Sequence, residues 1–261
     1  MRQAGLVVAE GLAAMQAATL PGVTTAEIDQ VGRDVLREHG ATSNFLNYGS
    51  EYGPGFAGVA CISVNNELLH GIPGNRVIEA GDLVSLDFGA IVSGWHGDAA
   101  RSFVVGQAQA EQQELIAATR EAFWAGLTQF RPGVRVNEIS RAIEYSVFSQ
   151  PRSYGIVRDY TGHGIGTRMH MAPDVPNYAR ARLTPKMQPG IVLAIEPMLT
   201  LGSDQTEVLA DEWTVVSVDG SIGAHWENTV ALTEHGLWVL TEPDGGQAEL
   251  ARRGLPFGGL A

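Results

Sequence analysis

The sequence is short of cysteine, of basic residues and of long apolar runs, and each shortage removes a class of protein. A single cysteine, Cys61, leaves no disulfide framework and no cysteine-rich zinc module, which fits a reducing cytosol and makes a cytoplasmic location the expectation. A net charge of −12 argues against a nucleic-acid partner, which would need clustered Lys and Arg. No stretch approaches the length of a membrane-spanning helix, so no membrane partner is expected. The opening run MRQAGLVVAEGLAAMQAATL is broken by Glu10 and lacks a basic start, a poor signal peptide. Its apolar residues Leu6, Ala9, Leu12 and Met15 recur instead at roughly helical spacing. What remains is ordinary globular composition, 261 residues with 44% hydrophobic and 18% charged, enough to bury a sizeable core.

The chain then repeats itself. PGVTTAEI (Pro21 to Ile28) returns as PGVRVNEI (Pro132 to Ile139), each between two helix-patterned stretches, the second of them Asp29 to His39 and Ser140 to Phe148. EAGDLVSLD places Asp87 six residues after Gly81, and QPGIVLAIE places Glu196 six residues after Gly190. His96-Gly97-Asp98 is matched by His225-Trp226-Glu227, each running into an apolar strand. The expectation is an α+β fold: one domain over residues 1–242, made of two halves of about 1–107 and 108–242. Strands at 84–92, 99–105, 191–199, 213–218 and 227–232 would merge into one antiparallel sheet with helices on one face. The Gly-rich tail, 243–261, is expected to be loosely held.

Acidic residues inside apolar strands need a reason. Asp87 sits in LVSLDFGAIV, and a hairpin around Ser93-Gly94, with paired residue numbers summing to 185–187, puts Asp87 and Asp98 on one face. Two carboxylates that close repel unless a cation lies between them. Glu196 in LAIEPM and Glu227 in HWENTV supply the matching pair. Four carboxylates with a histidine from TGHGIGTRMH form an oxygen-rich set suited to two divalent first-row ions, with Mn, Fe, Co and Zn all acceptable. His163 and His170 lie seven apart, which puts them on opposite faces of a strand or about 10.5 Å apart along a helix, so they read as one ligand and one donor to substrate. Gly162, Gly164 and Gly166 indicate a loop or irregular strand pressed against other backbone, and no helix or Lys-Ser/Thr follows to make a phosphate cradle.

CISVNNELLHGIP, SLDFGAIVSGWHGDAARSF, TGHGIGTRMH, LAIEPM and HWENT together resemble the type I methionine aminopeptidases, metallopeptidases of the duplicated pita-bread fold. The resemblance runs from about Met1 to Glu242. It implies a metal-dependent hydrolase that excises N-terminal methionine ahead of a small second residue. It implies that Asp87 holds one ion, that His163 and Glu196 hold the other, and that Asp98 and Glu227 bridge. Glu196 would shuttle the proton, with His70 and His170 contacting substrate. Tyr48, Phe56, Cys61, Met169 and Trp213 match the methionine pocket, and Phe45 joins them. The implied partners are nascent polypeptide N-termini met near the ribosome, and the implied state is a monomer. His225 reads as a brace for Glu227, and His39, His96 and His235 as surface or structural.

Two departures stand out: Met169 where phenylalanine is more usual, and Gly89 where a threonine often helps to hold the substrate amine. The catalytic motifs start at once, so no zinc-finger extension is expected. The 25 residues between His170 and Glu196 are too few for the helical insertion of type II relatives. A prolidase or aminopeptidase P shares the five ligands, and a metal-free peptide-binding module shares the fold. Both readings stay open at this point.

Overall fold

Both halves of the computed structural model, which describes residues 1–181 and 183–259, open with a helix pair. The first half runs α1 (Arg2–Ala18), α2 (Thr25–Glu38), β1 (Thr42–Ser43), β2 (Ala60–Val64), β3 (Glu67–Leu69), β4 (Leu83–Val92) and β5 (Trp95–Val104). The second begins with α3 (Ala110–Leu127), α4 (Val136–Phe148), β6 (Gly155–Ile156), β7 (Gly162–Gly164) and β8 (Met171–Val175). It continues through β9 (Val192–Ile195), β10 (Met198–Thr200), β11 (Thr206–Val208), β12 (Val215–Ser217), β13 (Gly223–His225), β14 (Asn228–Leu232), β15 (Leu237–Val239) and α5 (Gln247–Arg252).

α2 and α4 start four residues before the apolar pattern suggests, because polar residues complete their first turns. At α2 a capping box does this: the Thr24 hydroxyl accepts from the Glu27 N–H at 3.3 Å, and the Glu27 carboxylate accepts from the Thr24 N–H at 2.8 Å. At α4 the cap is tertiary, the Thr184 hydroxyl accepting from the Asn137 N–H at 3.0 Å.

The duplication is visible in hydrogen bonds. Gly22 N–H donates to Ile78 O, and Gly133 N–H to Met187 O, both at 2.8 Å. Ile78 N–H returns to Val23 O, and Met187 N–H to Val134 O, again at 2.8 Å. Gly81 and Gly190 share a φ of +98°, a conformation that only glycine adopts without strain.

β4 and β5 pair from Leu83↔Val104 to Val92↔Trp95, a register summing to 187, inside the expected window. Alternation does the sorting. Leu86, Phe88 and Ala90 face a core shared with Val8, Leu12 and Ile28 of the helices, while Asp87 and Asp98 face the other way. A second core, around Phe123, Trp124, Ile139 and Ile143, fills the other half.

Among the described residues the strands form four antiparallel sheets rather than the single one expected. The run expected at 191–199 breaks into β9 and β10 at Glu196-Pro197, where proline has no N–H to give to a ladder. The halves meet at the midline through Glu227 N–H to Ala100 O, 3.0 Å, and Ala100 N–H to Glu227 O, 3.3 Å. The tail also differs from expectation. Leu250 is fully buried, Phe257 bridges Leu237, and Arg253 forms a bidentate pair with Glu121 at 2.6 and 2.7 Å. An apolar anchor and a fork of charge-assisted hydrogen bonds hold it despite its glycines.

Candidate active site

Each acidic side chain is delivered by a strand or by a strand break. Asp87 lies opposite Cys61 on β2 and Ala100 on β5. Asp98, two residues back along β5, is its diagonal neighbour on the same face. Glu196 follows β9 and Glu227 precedes β14, and the pairing Asn228↔Ile195 holds these two side by side. His163, central in β7, pairs with Ala194 of β9. Its flanking glycines are a packing requirement: a Cβ at Gly162 would collide with Ala194 O, and one at Gly164 with Ala172 O.

The His163 Nδ1 lies 2.9 Å from Gly164 O. A carbonyl can only accept, so the proton sits on Nδ1 and the Nε2 lone pair is free. That Nε2 is 3.6 Å from Glu196 Oε1. Burial pushes the His163 pKa down to about 4, with repulsion from His170 adding. A neutral imidazole is what a metal requires.

Burial raises the pKa of Asp87 to about 7 and lifts Asp98, Glu196 and Glu227 well above the usual carboxylate range. At the last three, mutual repulsion adds to burial. Arg101 draws Glu227 back only in part while its guanidinium binds Glu242 at 2.8 Å. Asp87 Oδ1, Asp98 Oδ1 and His225 Nε2 are buried without hydrogen-bond partners. Donor atoms of Asp98, His163 and Glu227 lie within 4.8 Å of one another, as do those of Glu196, His225 and Glu227. Orphaned oxygens, a deprotonated nitrogen and clustered negative charge fit divalent cations.

Beside this ring opens a cavity of about 270 Å³, where Phe45, Phe56, Cys61, Met169 and Trp213 make an apolar wall. Phe56 packs edge-on against Trp213 with ring centroids 5.5 Å apart, and Tyr48 stands at the mouth. His70 faces Tyr160 edge-on at 5.4 Å, and burial lowers its pKa to about 4. His170 stacks edge-on to His163 at 4.3 Å, and its Nδ1 lies 2.7 Å from the Tyr48 hydroxyl. If that hydroxyl donates, the His170 Nε2–H is left as a donor for substrate. The cavity thus brings together the residues expected as metal ligands, substrate contacts and pocket wall, while His225 and Gly89 lie outside its lining.

Two features had no clear sequence signal. Tyr160 and Asp159 line the cavity from the loop before TGHGIG, which carries no recognisable spacing. Asn44 occupies the space a side chain at Gly89 would need, donates to Gly97 O at 3.0 Å and faces Asp98, pulling its pKa back down. The amide of a distant loop thus fills the place left by the missing threonine.

Comparison with known proteins agrees with this geometry. The model of metallopeptidase family M24 matches residues 1–234. A methionine aminopeptidase of Clostridium acetobutylicum is 45% identical over 92% of this chain and 94% of its own. Methionine aminopeptidase 1 of Mycobacterium tuberculosis is 46% identical over 92% and 91%. The crystal structure of methionine aminopeptidase from Thermotoga maritima superposes with a TM-score of 0.87 at 35% identity, covering 93% of this chain and 95% of that one. A prolidase from Pyrococcus horikoshii shares the fold at a TM-score of 0.71 and 21% identity, with only 60% of its chain covered. The chain belongs to metallopeptidase family M24.

Proposed function

We propose that this protein is a methionine aminopeptidase that hydrolyses the first peptide bond of polypeptides beginning with methionine and a small second residue. The observation that carries the reading is one cavity with an apolar, sulfur-tolerant wall on one side and a carboxylate-histidine ring on the other. Methionine is long, unbranched and polarizable, and an aromatic-thioether wall suits it.

Asp87, Asp98, His163, Glu196 and Glu227 are the residues that would hold divalent ions, two of them by charge balance, drawn from Mn, Fe, Co and Zn. Such ions supply Lewis acidity, lowering the proton affinity of water and polarising the scissile carbonyl. Glu196 then takes the proton of the attacking water and passes it to the leaving amine. The His170 Nε2–H donates to the carbonyl oxygen as it gains negative charge, an oxyanion-hole role. Asp87 faces the substrate's free α-amine, which limits the reaction to one residue at a free N-terminus, and His70 contacts the bound peptide. Nascent chains near the ribosome, in the cytoplasm, are the proposed substrates of a monomeric enzyme. No described helix is long and apolar enough to cross a membrane.

The test is a peptide panel after reconstitution with each metal. Cleavage of Met-Ala peptides over X-Pro peptides is expected. Preferential cleavage of X-Pro bonds would make the protein a prolidase instead, and absence of metal uptake would make it a binding module.

A further inference from the structure

We infer that His225 is a second nitrogen donor of the metal centre, holding a divalent ion together with Glu196 and Glu227. This rests on the metallopeptidase reading above and adds a ligand to it.

His225 is the last residue of β13, opposite Met198 of β10, so it stands beside the Glu196-Pro197 break and two residues before Glu227. Its backbone is pinned on both sides by one side chain. Ser102 Oγ accepts from the His225 N–H at 2.8 Å and donates to the His225 O at 2.9 Å. Ser85, 2.7 Å from Ser102 Oγ, completes the support. The side chain is 3% exposed, and its Nε2 has no hydrogen-bond partner.

That Nε2 points at two carboxylates, 3.8 Å from Glu196 Oε2 and 3.9 Å from Glu227 Oε2. Both distances are too long for hydrogen bonds. They are the spacing of donors sharing one ion: ligands about 2.0–2.2 Å from a metal stand some 3–4 Å from each other. Glu196 is flanked on its other oxygen by His163, at 3.6 Å. The two glutamates of the second half are therefore served by two imidazoles. A buried nitrogen without a partner is costly unless something fills its valence, and an ion does so here. A second imidazole also makes the site less oxygen-rich, favouring Co or Zn over Mn.

The test uses the full chain, stripped of metal and titrated with Co(II) or Mn(II) alone in chelator competition. Pulsed EPR on Mn(II)-loaded, 15N-histidine protein counts the coordinated imidazoles. Two are expected in the wild type, and one in His225→Gln, whose Co(II) affinity should fall by at least about tenfold, with a smaller loss for Mn(II). One coupled imidazole in the wild type overturns the inference, and that reading does not depend on the variant folding. Unchanged affinity in His225→Gln also overturns it. So does a loss of affinity with the imidazole count unchanged, since His225 would then merely brace the glutamates. A wild type that takes up no ion overturns the metallopeptidase reading itself, a separate outcome.

Discussion

The two halves carry the same plan with different workmanship. In the first, β4 and β5 pair without interruption across ten positions, and the short side chains of Asp87 and Asp98 emerge from regular strands. In the second, the matching strands break at Glu196-Pro197 and Trp226-Glu227, and the longer glutamates emerge beside the breaks. An unbroken ladder fixes a carboxylate by register alone. A broken one frees backbone to bring in other groups: both β7–β8, which present His163 and His170, and the β11–β12 hairpin, which ends beside Trp213, belong to the second half. The regular half supplies rigid acid and His70, and the irregular half supplies His163, His170 and part of the pocket wall.

Breaking the rigid side should have the largest effect. Asp98→Asn keeps the shape but removes the charge proposed to touch both ions. Turnover should be abolished and metal content lowered, with circular dichroism unchanged. Retained activity would sink the two-metal assignment.

On the irregular side, His170→Ala should lower kcat by roughly 10²–10³, about 2.7–4 kcal/mol, with metal content unchanged. Elemental analysis separates the two histidines. A protein that loses an ion on this substitution would reverse the roles given to His163 and His170.

Removing metal tests both halves at once. At a free-ion concentration of 100 Kd, binding adds about 2.7 kcal/mol of stability, which a chelator should abolish. The pH slope should also invert. Burial raises the Asp87 pKa from 3.8 to about 7, so the folded state binds that proton more tightly than the unfolded state does. Metal-free protein should therefore gain stability as the pH falls from 8 to 6.5, because Asp87 takes up its proton there while His70 and His163, held down to about 4, stay neutral. Below that, charging of these histidines in the unfolded state opposes the gain. With ions bound the carboxylates stay ionised, and acid should instead remove the ligand stabilisation. Melting temperatures at pH 6.5 and 8, with and without chelator, decide the matter. Parallel slopes would mean that the ions sit elsewhere.

The pocket wall offers a finer contrast, since Phe45 and Phe56 come from the first half while Met169 and Trp213 come from the second. A thioether is flexible, so Met169→Phe should narrow the range of accepted first residues by about 1–3 kcal/mol without removing the chemistry. The readout is kcat/KM for Met-, norleucine- and Leu-initiated peptides, and identical ratios in both proteins would place Met169 outside the substrate's reach. The smallest effect concerns the helix caps. Thr24→Ala removes a local capping box and should cost about 1 kcal/mol, within a range of roughly 0.5–2. Thr184→Ala removes a cap that exists only after folding. Equal urea-denaturation losses, with folding slowed only by Thr24→Ala, would show that the first half's helix forms earlier.

Periodicity made much of this legible. A period of two with a Ser93-Gly94 turn determined that Asp87 and Asp98 share a face, and the PGV echo determined that the molecule is built twice. The glycines of TGHGIG announced close backbone contact, which Ala194 and Ala172 supply. Tertiary structure alone decided the rest. His163 and His170 come within 4.3 Å because the chain doubles back between β7 and β8, a reversal that strand and helix periods do not describe. Pro197 split a strand that composition made continuous. The tail docked through Leu250 and the Arg253–Glu121 pair, although its glycines suggested looseness. His225 acquired its place facing Glu196 and Glu227 from Ser102, on a strand of the other half. Local sequence sets torsions, turns and faces, whereas these placements depend on contacts between residues far apart in the chain, which leave no repeat for a local pattern to reveal.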